Sequence, residues 1–203
     1  MDPKSENWRH LTSLLAPLHP DPQDLARRLL RRFGSLAALT AASDEAVRSS
    51  AKDGESWQEA FLSIRRLMQD GMREQVLRSP LTETRAELEE YLITSIGMLR
   101  QERMVVFFGD TKGYLISEEV LAEGADANLS ISTRALAARA MCLDARYIVL
   151  AHNHPSGIAE PSAADIETTV AIAALCRQLG IALLDHLIVT RTKTASCADR
   201  GLL

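Results

Sequence analysis

Two histidines and an aspartate in the C-terminal half of the chain could bind a metal ion. His152 and His154 follow a short apolar run, Tyr147 to Ala151, which is typical of a β-strand. Residues two apart in a strand point to the same side, so both imidazoles can face one point in space. Asp165 falls in the first turn of the helix that follows. Two imidazoles and one carboxylate suit a zinc site with three protein ligands, and the open fourth position for water is the catalytic form of such a site.

The same residues also have interpretations that need no metal. Ser162 and Asp165 form a Ser-x-x-Asp capping box, which has only to start a helix. The two histidines could be polar groups beside the turn that Pro155, Ser156 and Gly157 predict. We favour the zinc site because strand, turn and helix follow one another in the order that such a site needs.

The spacing of these residues resembles the motif of a known family. The JAMM (MPN+) metalloprotease pattern reads His-x-His-Pro, six residues, Ser, two residues and Asp; the matching residues are His152, His154, Pro155, Ser162 and Asp165. The wording His-Asn-His-Pro-Ser-Gly resembles the bacterial RadC branch, from about Arg103 to the C-terminus. The resemblance implies an MPN fold, Zn²⁺ held by the two histidines and the aspartate, and hydrolysis of an amide or isopeptide bond.

The resemblance also implies two catalytic residues. The motif has an upstream glutamate directly before a valine, which here is Glu119. This carboxylate would take a proton from water and return it to the leaving group. Ser162 would donate a hydrogen bond to the developing oxyanion, and would then share or give up its capping role. Without catalysis, Glu119 would be one acid on a solvated strand.

Length and composition bound the class of protein. The chain has 203 residues, enough for one large domain or two small ones. Its 46% hydrophobic and 25% charged content is ordinary for a soluble globular protein. No apolar run is long enough to span a membrane. Three widely spaced cysteines predict free thiols, with Cys142 and Cys176 buried. We therefore expect a cytoplasmic protein with no membrane partner, and the family resemblance implies that it acts on a protein or peptide.

Residues 1–78 are predicted to form a small, all-helical domain. Asp21-Pro22 is a helix start and Gly34 a helix stop. The segment from Leu29 to Ser43 resembles the helix-hairpin-helix-like N-terminal region of RadC proteins. The Gly-x-Gly hairpin that would approach a DNA phosphate is replaced by residues 49–56, which have one glycine and two acids. Acids repel phosphates, so this helix-hairpin-helix is predicted to be degenerate.

A cluster of arginines keeps DNA binding open as an alternative. Residues 1–80 carry 12 Lys/Arg and 11 Asp/Glu, whereas residues 81–203 carry 11 and 16. Neither part is the strongly basic body of a dedicated nucleic-acid binder. One face of the predicted helix Gln23–Phe33 nevertheless carries four arginines, Arg27, Arg28, Arg31 and Arg32. This face is either a DNA contact or simply the solvated face of an amphipathic helix. A DNA repair or recombination accessory protein of RadC type is therefore the alternative function. A structural module that merely keeps its zinc is a further one.

Residues 82–203 are predicted to form an α/β or α+β domain, with a mixed sheet flanked by helices. The expected helices are Thr82–Leu99, Thr133–Leu143 and Ser162–Leu179. The expected strands are Arg103–Phe108, Tyr114–Glu123, Tyr147–Ala151, Ile181–Leu184 and Leu187–Thr190.

Two further places bear on the site. The RadC pattern has His-Pro-Arg-Glu where this chain has Ser132-Thr-Arg-Ala135, so substrate contacts on that helix would differ. Asp185-His186 matches the family's Asp-His. We interpret it as a buried orienting or structural pair rather than as direct ligands, because metal-bound imidazoles need partners for their other nitrogen.

Overall fold

The chain divides into two compact units, Met1–Asp70 and Gly71–Leu203. A computed structural model describes residues 6–52, 55–124 and 132–203. The division falls within helix α5, Trp57–Leu77, because Met72 and Val76 near the end of that helix pack into the core of the second unit. The predicted domain boundary, between residues 78 and 82, lies further along the chain and stays a prediction.

The N-terminal unit contains four short helices and most of α5. The short helices are α1 (Glu6–Leu15), α2 (Pro22–Phe33), α3 (Leu36–Thr40) and α4 (Asp44–Arg48). The side chains of Asp21, Ser35 and Ser43 cap α2, α3 and α4 by accepting backbone N–H bonds. Gly34 ends α2 with a φ of 84°. The core is made of apolar side chains from all five helices, among them Leu15, Leu25, Leu39, Val47 and Trp57.

One of the two acids of the predicted degenerate hairpin is used inside this unit. Glu55 accepts hydrogen bonds from Arg28 Nη2 at 2.5 Å, from Trp57 Nε1 at 3.0 Å and from the N–H of Lys52 at 3.0 Å. Burial raises the pKa of Glu55, but these hydrogen bonds outweigh burial and lower the pKa to about 2. Residues 53 and 54 of the hairpin lie outside the described residues.

The second unit is built on a five-stranded mixed sheet, which confirms the predicted α+β class. The strands are β1 (Glu102–Gly109), β2 (Leu115–Gly124), β3 (Tyr147–Asn153), β4 (Ala182–Val189) and β5 (Thr194–Ser196), in the spatial order β2-β1-β3-β4-β5. β3 and β4 are parallel, and the other neighbours are antiparallel. The helices are α6 (Arg85–Ser95), α7 (Thr133–Cys142) and α8 (Ala163–Leu179).

Helices cover both faces of this sheet. Side chains alternate along a strand, so Phe107 and Val149 pack with Leu92 of α6 on one face. On the other face, Leu150 packs with Ile172 of α8, together with residues of α7. The central strands β1 and β3 are therefore buried on both sides, and they form a rigid support for the residues at their ends. No helix among the described residues combines the length and the apolar character that crossing a membrane requires.

Two details of the sequence prediction are wrong. The expected strands Ile181–Leu184 and Leu187–Thr190 are one strand, β4, because the polar pair Asp185 and His186 is buried and hydrogen-bonded within it. Cys142 is exposed rather than buried. The buried residue Ala140 precedes it by two positions on α7, and such a step in a helix leads to the opposite side.

Candidate metal centre

Strand β3 brings the two histidines to the same side of the sheet. His152 shares its face with Ile148 and Leu150, which pack against α8. His154 follows the strand, but its N–H donates to the carbonyl of Val189 at 2.8 Å and so prolongs the pairing of β3 with β4. The two imidazole rings consequently lie side by side, with their centroids 4.7 Å apart.

The start of α8 fixes the carboxylate of Asp165. Ser162 Oγ accepts the N–H of Asp165 at 3.2 Å. Asp165 Oδ2 in turn accepts the N–H of Ser162 at 2.7 Å and its hydroxyl at 2.6 Å. The capping box is therefore present, and it also orients the carboxylate towards the histidines. Helix capping and metal binding are not exclusive interpretations here.

The nitrogen and oxygen atoms of these three residues converge. The Nε2 atoms of His152 and His154 are 2.9 Å apart. Asp165 Oδ1 lies 3.1 Å from His152 Nε2, and Asp165 Oδ2 lies 3.2 Å from His154 Nε2. Among the described residues, these three side chains form a group that could hold a metal ion, with ligand atoms within 4.8 Å of one another.

The proton on His154 shows that this group fits a cation. His154 Nδ1 lies 2.9 Å from the carbonyl oxygen of Ile158. A carbonyl oxygen only accepts, so Nδ1 carries the ring proton and Nε2 presents a lone pair. That lone pair faces an ionised carboxylate and a second ring nitrogen, which is a favourable arrangement when a cation lies between them. Two imidazole nitrogens and a carboxylate oxygen are a donor set typical of divalent metals such as zinc.

The Asp165 carboxylate and the ring of His154 shift each other's pKa. Burial raises the pKa of Asp165, but the contacts of its carboxylate with His152 and His154 outweigh burial and hold that pKa well below its ordinary value. The contact with the Asp165 carboxylate raises the pKa of His154, against the effect of burial, and the Ile158 carbonyl adds to the rise. Asp165 is therefore ionised, as a metal ligand has to be.

Comparison with known proteins assigns this domain to a family. A family model described as RadC-like JAB domain matches residues 82–202, which include the whole candidate centre. The chain belongs to the RadC family. A UPF0758 protein of Chromobacterium violaceum is 34% identical over 180 residues, 89% of this chain and 80% of the relative. A UPF0758 protein of Rhodobacter capsulatus is 34% identical over 183 residues, 90% of this chain and 86% of the relative. This RadC-family chain thus matches its relatives over most of their length.

The structure does not place Glu119 in the cluster of ligand atoms. Glu119 lies on β2, and its Oε1 accepts hydrogen bonds from Arg139 Nε at 2.7 Å and from Ser117 Oγ at 2.8 Å. The hydrogen bond from Arg139 lowers the pKa of Glu119. A carboxylate held in this way is a poor acceptor for a further proton. The role of Glu119 as proton acceptor in this RadC-family chain stays a prediction.

A different carboxylate, Glu102, lies near the histidines. In the antiparallel pairing of β1 with β3, Met104 is opposite His152. The N–H of Arg103, one residue earlier, donates to Asn153 Oδ1 at 2.8 Å. Glu102 comes one residue earlier still and so lies beside His154, whose pKa its charge raises as one of several contributions. The spacing of residues along the chain gives no sign of Glu102, because only the register of β1 against β3 reveals its position.

Asp185 and His186 have separate tasks. Asp185 Oδ1 accepts the N–H groups of His186 and Ala198, and its Oδ2 accepts the hydroxyl of Ser196, so this residue fastens β4 to the chain around β5. The buried ring of His186 instead lies against the candidate metal centre, with Nε2 2.9 Å from His152 Nδ1. This geometry fits the interpretation of the pair as orienting and structural.

A cleft lies near the candidate centre, although none of the three candidate ligands lines it. Its volume is about 590 Å³, and its lining includes Ile158, whose carbonyl holds His154. Other lining residues are Lys193, Arg200 and the edge strand β5.

Proposed function

We propose that the chain is a zinc-dependent hydrolase of JAMM type, which cleaves an amide or isopeptide bond. The observation that carries the proposal is the convergence of His152 Nε2, His154 Nε2 and the Asp165 carboxylate. These three residues would hold Zn²⁺. When bound, zinc supplies a Lewis acid that lowers the pKa of a coordinated water towards neutrality and polarises a carbonyl. Membership of the RadC family, with its JAB-type domain, supports this reaction class.

The reaction also needs a carboxylate outside the ligand set to move a proton. Glu102 and Glu119 are the candidates, and we favour Glu102. It acts electrostatically on His154, whereas Glu119 is held by Arg139 and Ser117. The favoured carboxylate would accept a proton from water and deliver it to the leaving nitrogen.

Ser162 would stabilise the developing oxyanion through its hydroxyl. The same hydroxyl donates to Asp165 Oδ2 at 2.6 Å, so it would have to turn away from the carboxylate to reach substrate. The backbone N–H of Ser162 would still bond Asp165 and keep that ligand oriented.

The edge strand β5 suggests how a peptide substrate would bind. β5 pairs with β4 on one side only, and it lines the cleft beside the centre. An extended peptide can add to such an edge through main-chain hydrogen bonds. We therefore propose a protein or peptide chain as substrate, laid along Thr194–Ser196 with its scissile carbonyl near the ligands.

DNA binding is the second proposal, and the arginines of α2 are the observation that favours it. Two of them already have acidic partners: Arg27 pairs with Asp24, and Arg28 pairs with Asp24 and Glu55. Paired arginines attract phosphates less strongly than free ones, so we rank DNA below a peptide substrate.

Peptide and isopeptide libraries would test the main proposal. The zinc-loaded chain is incubated with each library, and cleavage is followed by mass spectrometry, with His154→Ala as the metal-free control. Cleavage by wild type alone would support the hydrolase. Salt-sensitive binding of duplex or single-stranded DNA, with no cleavage by a protein that holds one zinc, would favour the DNA role instead.

A further inference from the structure

A buried chain of hydrogen bonds connects the ring of His152 to the main chain of Asp165. His152 Nδ1 lies 2.9 Å from His186 Nε2. His186 Nδ1 lies 2.6 Å from Thr169 Oγ1, which lies 2.6 Å from the carbonyl oxygen of Asp165 one turn earlier in α8. Thr169 and His186 are 0% exposed and His152 is 2% exposed. These atoms must therefore satisfy one another.

The chemistry of each atom fixes where the protons are. The carbonyl oxygen of Asp165 only accepts, so Thr169 gives it the single hydroxyl proton. Donation by Thr169 to Cys197 Sγ, 4.0 Å away, would instead leave two oxygens 2.6 Å apart with no proton between them. Thr169 can then only accept from His186, so the proton of His186 is on Nδ1.

The order of protons continues to His152. A charged ring at His186 would be costly, because the ring is fully buried and the Asp185 carboxylate is bonded elsewhere. The ring is therefore neutral, and because its one proton is on Nδ1, its Nε2 has a lone pair. That lone pair accepts the Nδ1 proton of His152. The Nε2 of His152 is left unprotonated, and it faces Asp165 and His154.

We propose that Thr169 and His186 are positioning residues that hold His152 in the one tautomer able to bind the metal. The proposal rests on the hydrolase function above. We call this chain of hydrogen bonds, from His152 through His186 and Thr169 to the main chain of Asp165, the relay. It connects two of the three proposed ligands, because Thr169 donates to the carbonyl of Asp165 and His186 accepts from the ring of His152. Neither residue belongs to the group of candidate ligands.

A matched pair of variants at Thr169 isolates the hydroxyl. Thr169→Val keeps the shape of the side chain and removes the proton donor, whereas Thr169→Ser keeps the donor. Without the hydroxyl, His186 Nδ1–H has no acceptor, so the proton moves to Nε2. His152 must then accept at Nδ1, and its own proton moves to Nε2, where the metal would bind. We expect Thr169→Val to bind zinc about 10- to 100-fold more weakly, and Thr169→Ser to stay close to wild type.

Two readouts decide the proposal. Zinc affinity is measured by competition with a chelator, and the tautomer of His186 by two-bond ¹⁵N–¹H NMR of the metal-free protein at pH 8. Support requires the proton on Nδ1 of His186 in wild type, its move to Nε2 in Thr169→Val, and weaker zinc binding there. A wild-type proton on Nε2, or unchanged zinc affinity in a folded Thr169→Val, overturns the relay.

The same experiment separates this proposal from the hydrolase proposal. A wild type that binds no zinc contradicts the hydrolase, and the wild-type tautomer of His186 then decides the relay alone. That tautomer also decides it if Thr169→Val does not fold.

Discussion

At the scale of single residues, the candidate metal ligands are the part of the site that the sequence could predict. His152 and His154 stand two apart at the end of a strand, and Asp165 stands in a helix cap, so local geometry alone brings each into place. Glu102 and Thr169 reach the site through the register of β1 and the packing of α8 on β4. Those relations connect distant parts of the chain, and no local spacing encodes them.

The two candidate carboxylates give the sharpest test at this scale. Because Glu102 lies beside His154, Glu102→Gln is expected to lower the rate of amide hydrolysis by about 10²- to 10⁴-fold with zinc content unchanged. Glu119→Gln removes a partner of Arg139 and is expected to leave the rate near that of wild type. The measurement is the steady-state rate on a cleaved peptide. A large loss in Glu119→Gln, with Glu102→Gln active, would return the role to Glu119.

At the scale of elements, hydrophobic patterning predicted most helices and strands but not where β4 continues. Apolar residues flank Asp185 and His186, and a buried polar pair is indistinguishable in sequence from a break between two strands. In the structure both residues are fully engaged, by Ser196, Ala198, Thr169 and His152. The partners come from other elements, so the pair could be understood only after folding.

The close approach of the chain after α6 to the end of β4 predicts a stability effect. A Cβ at Gly97 would overlap the carbonyl oxygen of Thr190 and would lie 2.7 Å from that of Ile93. We expect Gly97→Ala to destabilise the C-terminal unit by about 1–3 kcal/mol. Gly71→Ala on α5 is the control, since nothing lies within 4 Å of its Cβ, and it should stabilise by up to about 1 kcal/mol. Urea unfolding measures both, and equal effects would contradict the packing.

The hydrogen bonds that Glu55 accepts predict a pH-dependent stability for the N-terminal helices. The pKa of Glu55 in the folded chain, about 2, lies below its ordinary value of 4.5. The contribution of Glu55 to the free energy of unfolding is therefore complete above pH 4.5 and is lost as the pH falls through 2. We expect Glu55→Gln to cost about 1–3 kcal/mol at pH 7, because it removes charged hydrogen bonds to Arg28 and Trp57. The difference from wild type should shrink towards pH 2.

Urea unfolding at pH 7 and pH 3 measures the free energy of unfolding of wild type and of Glu55→Gln. Glu59→Gln is the matched control: Glu59 pairs with Arg48 at the surface, so its removal should have little effect. Suppose the free energy of unfolding of wild type exceeds that of Glu55→Gln by the same amount at pH 3 and pH 7, or at neither pH. Either result would contradict the stabilising role of the ionised Glu55 carboxylate.

At the scale of the whole molecule, the chain joins a helical unit to a RadC-like JAB domain. The two units favour different partners. The arginines on α2 favour DNA, whereas the candidate metal ligands and the nearby cleft in the second unit favour a peptide substrate. The family assignment and the mixed sheet agree with what the His-x-His-Pro motif implied. Substrate and metal identity are proposals, and they depend on the same three side chains.

The zinc content of the purified protein shows whether His152, His154 and Asp165 bind a metal ion. Wild type, His154→Ala and Glu102→Gln are produced in zinc-replete cells without chelators and analysed by elemental analysis. We expect one zinc per chain in wild type and in Glu102→Gln, and none in His154→Ala, because His154 is a proposed ligand and Glu102 is not. A wild type without zinc, or a His154→Ala protein that retains zinc, would contradict the proposed set of three zinc ligands.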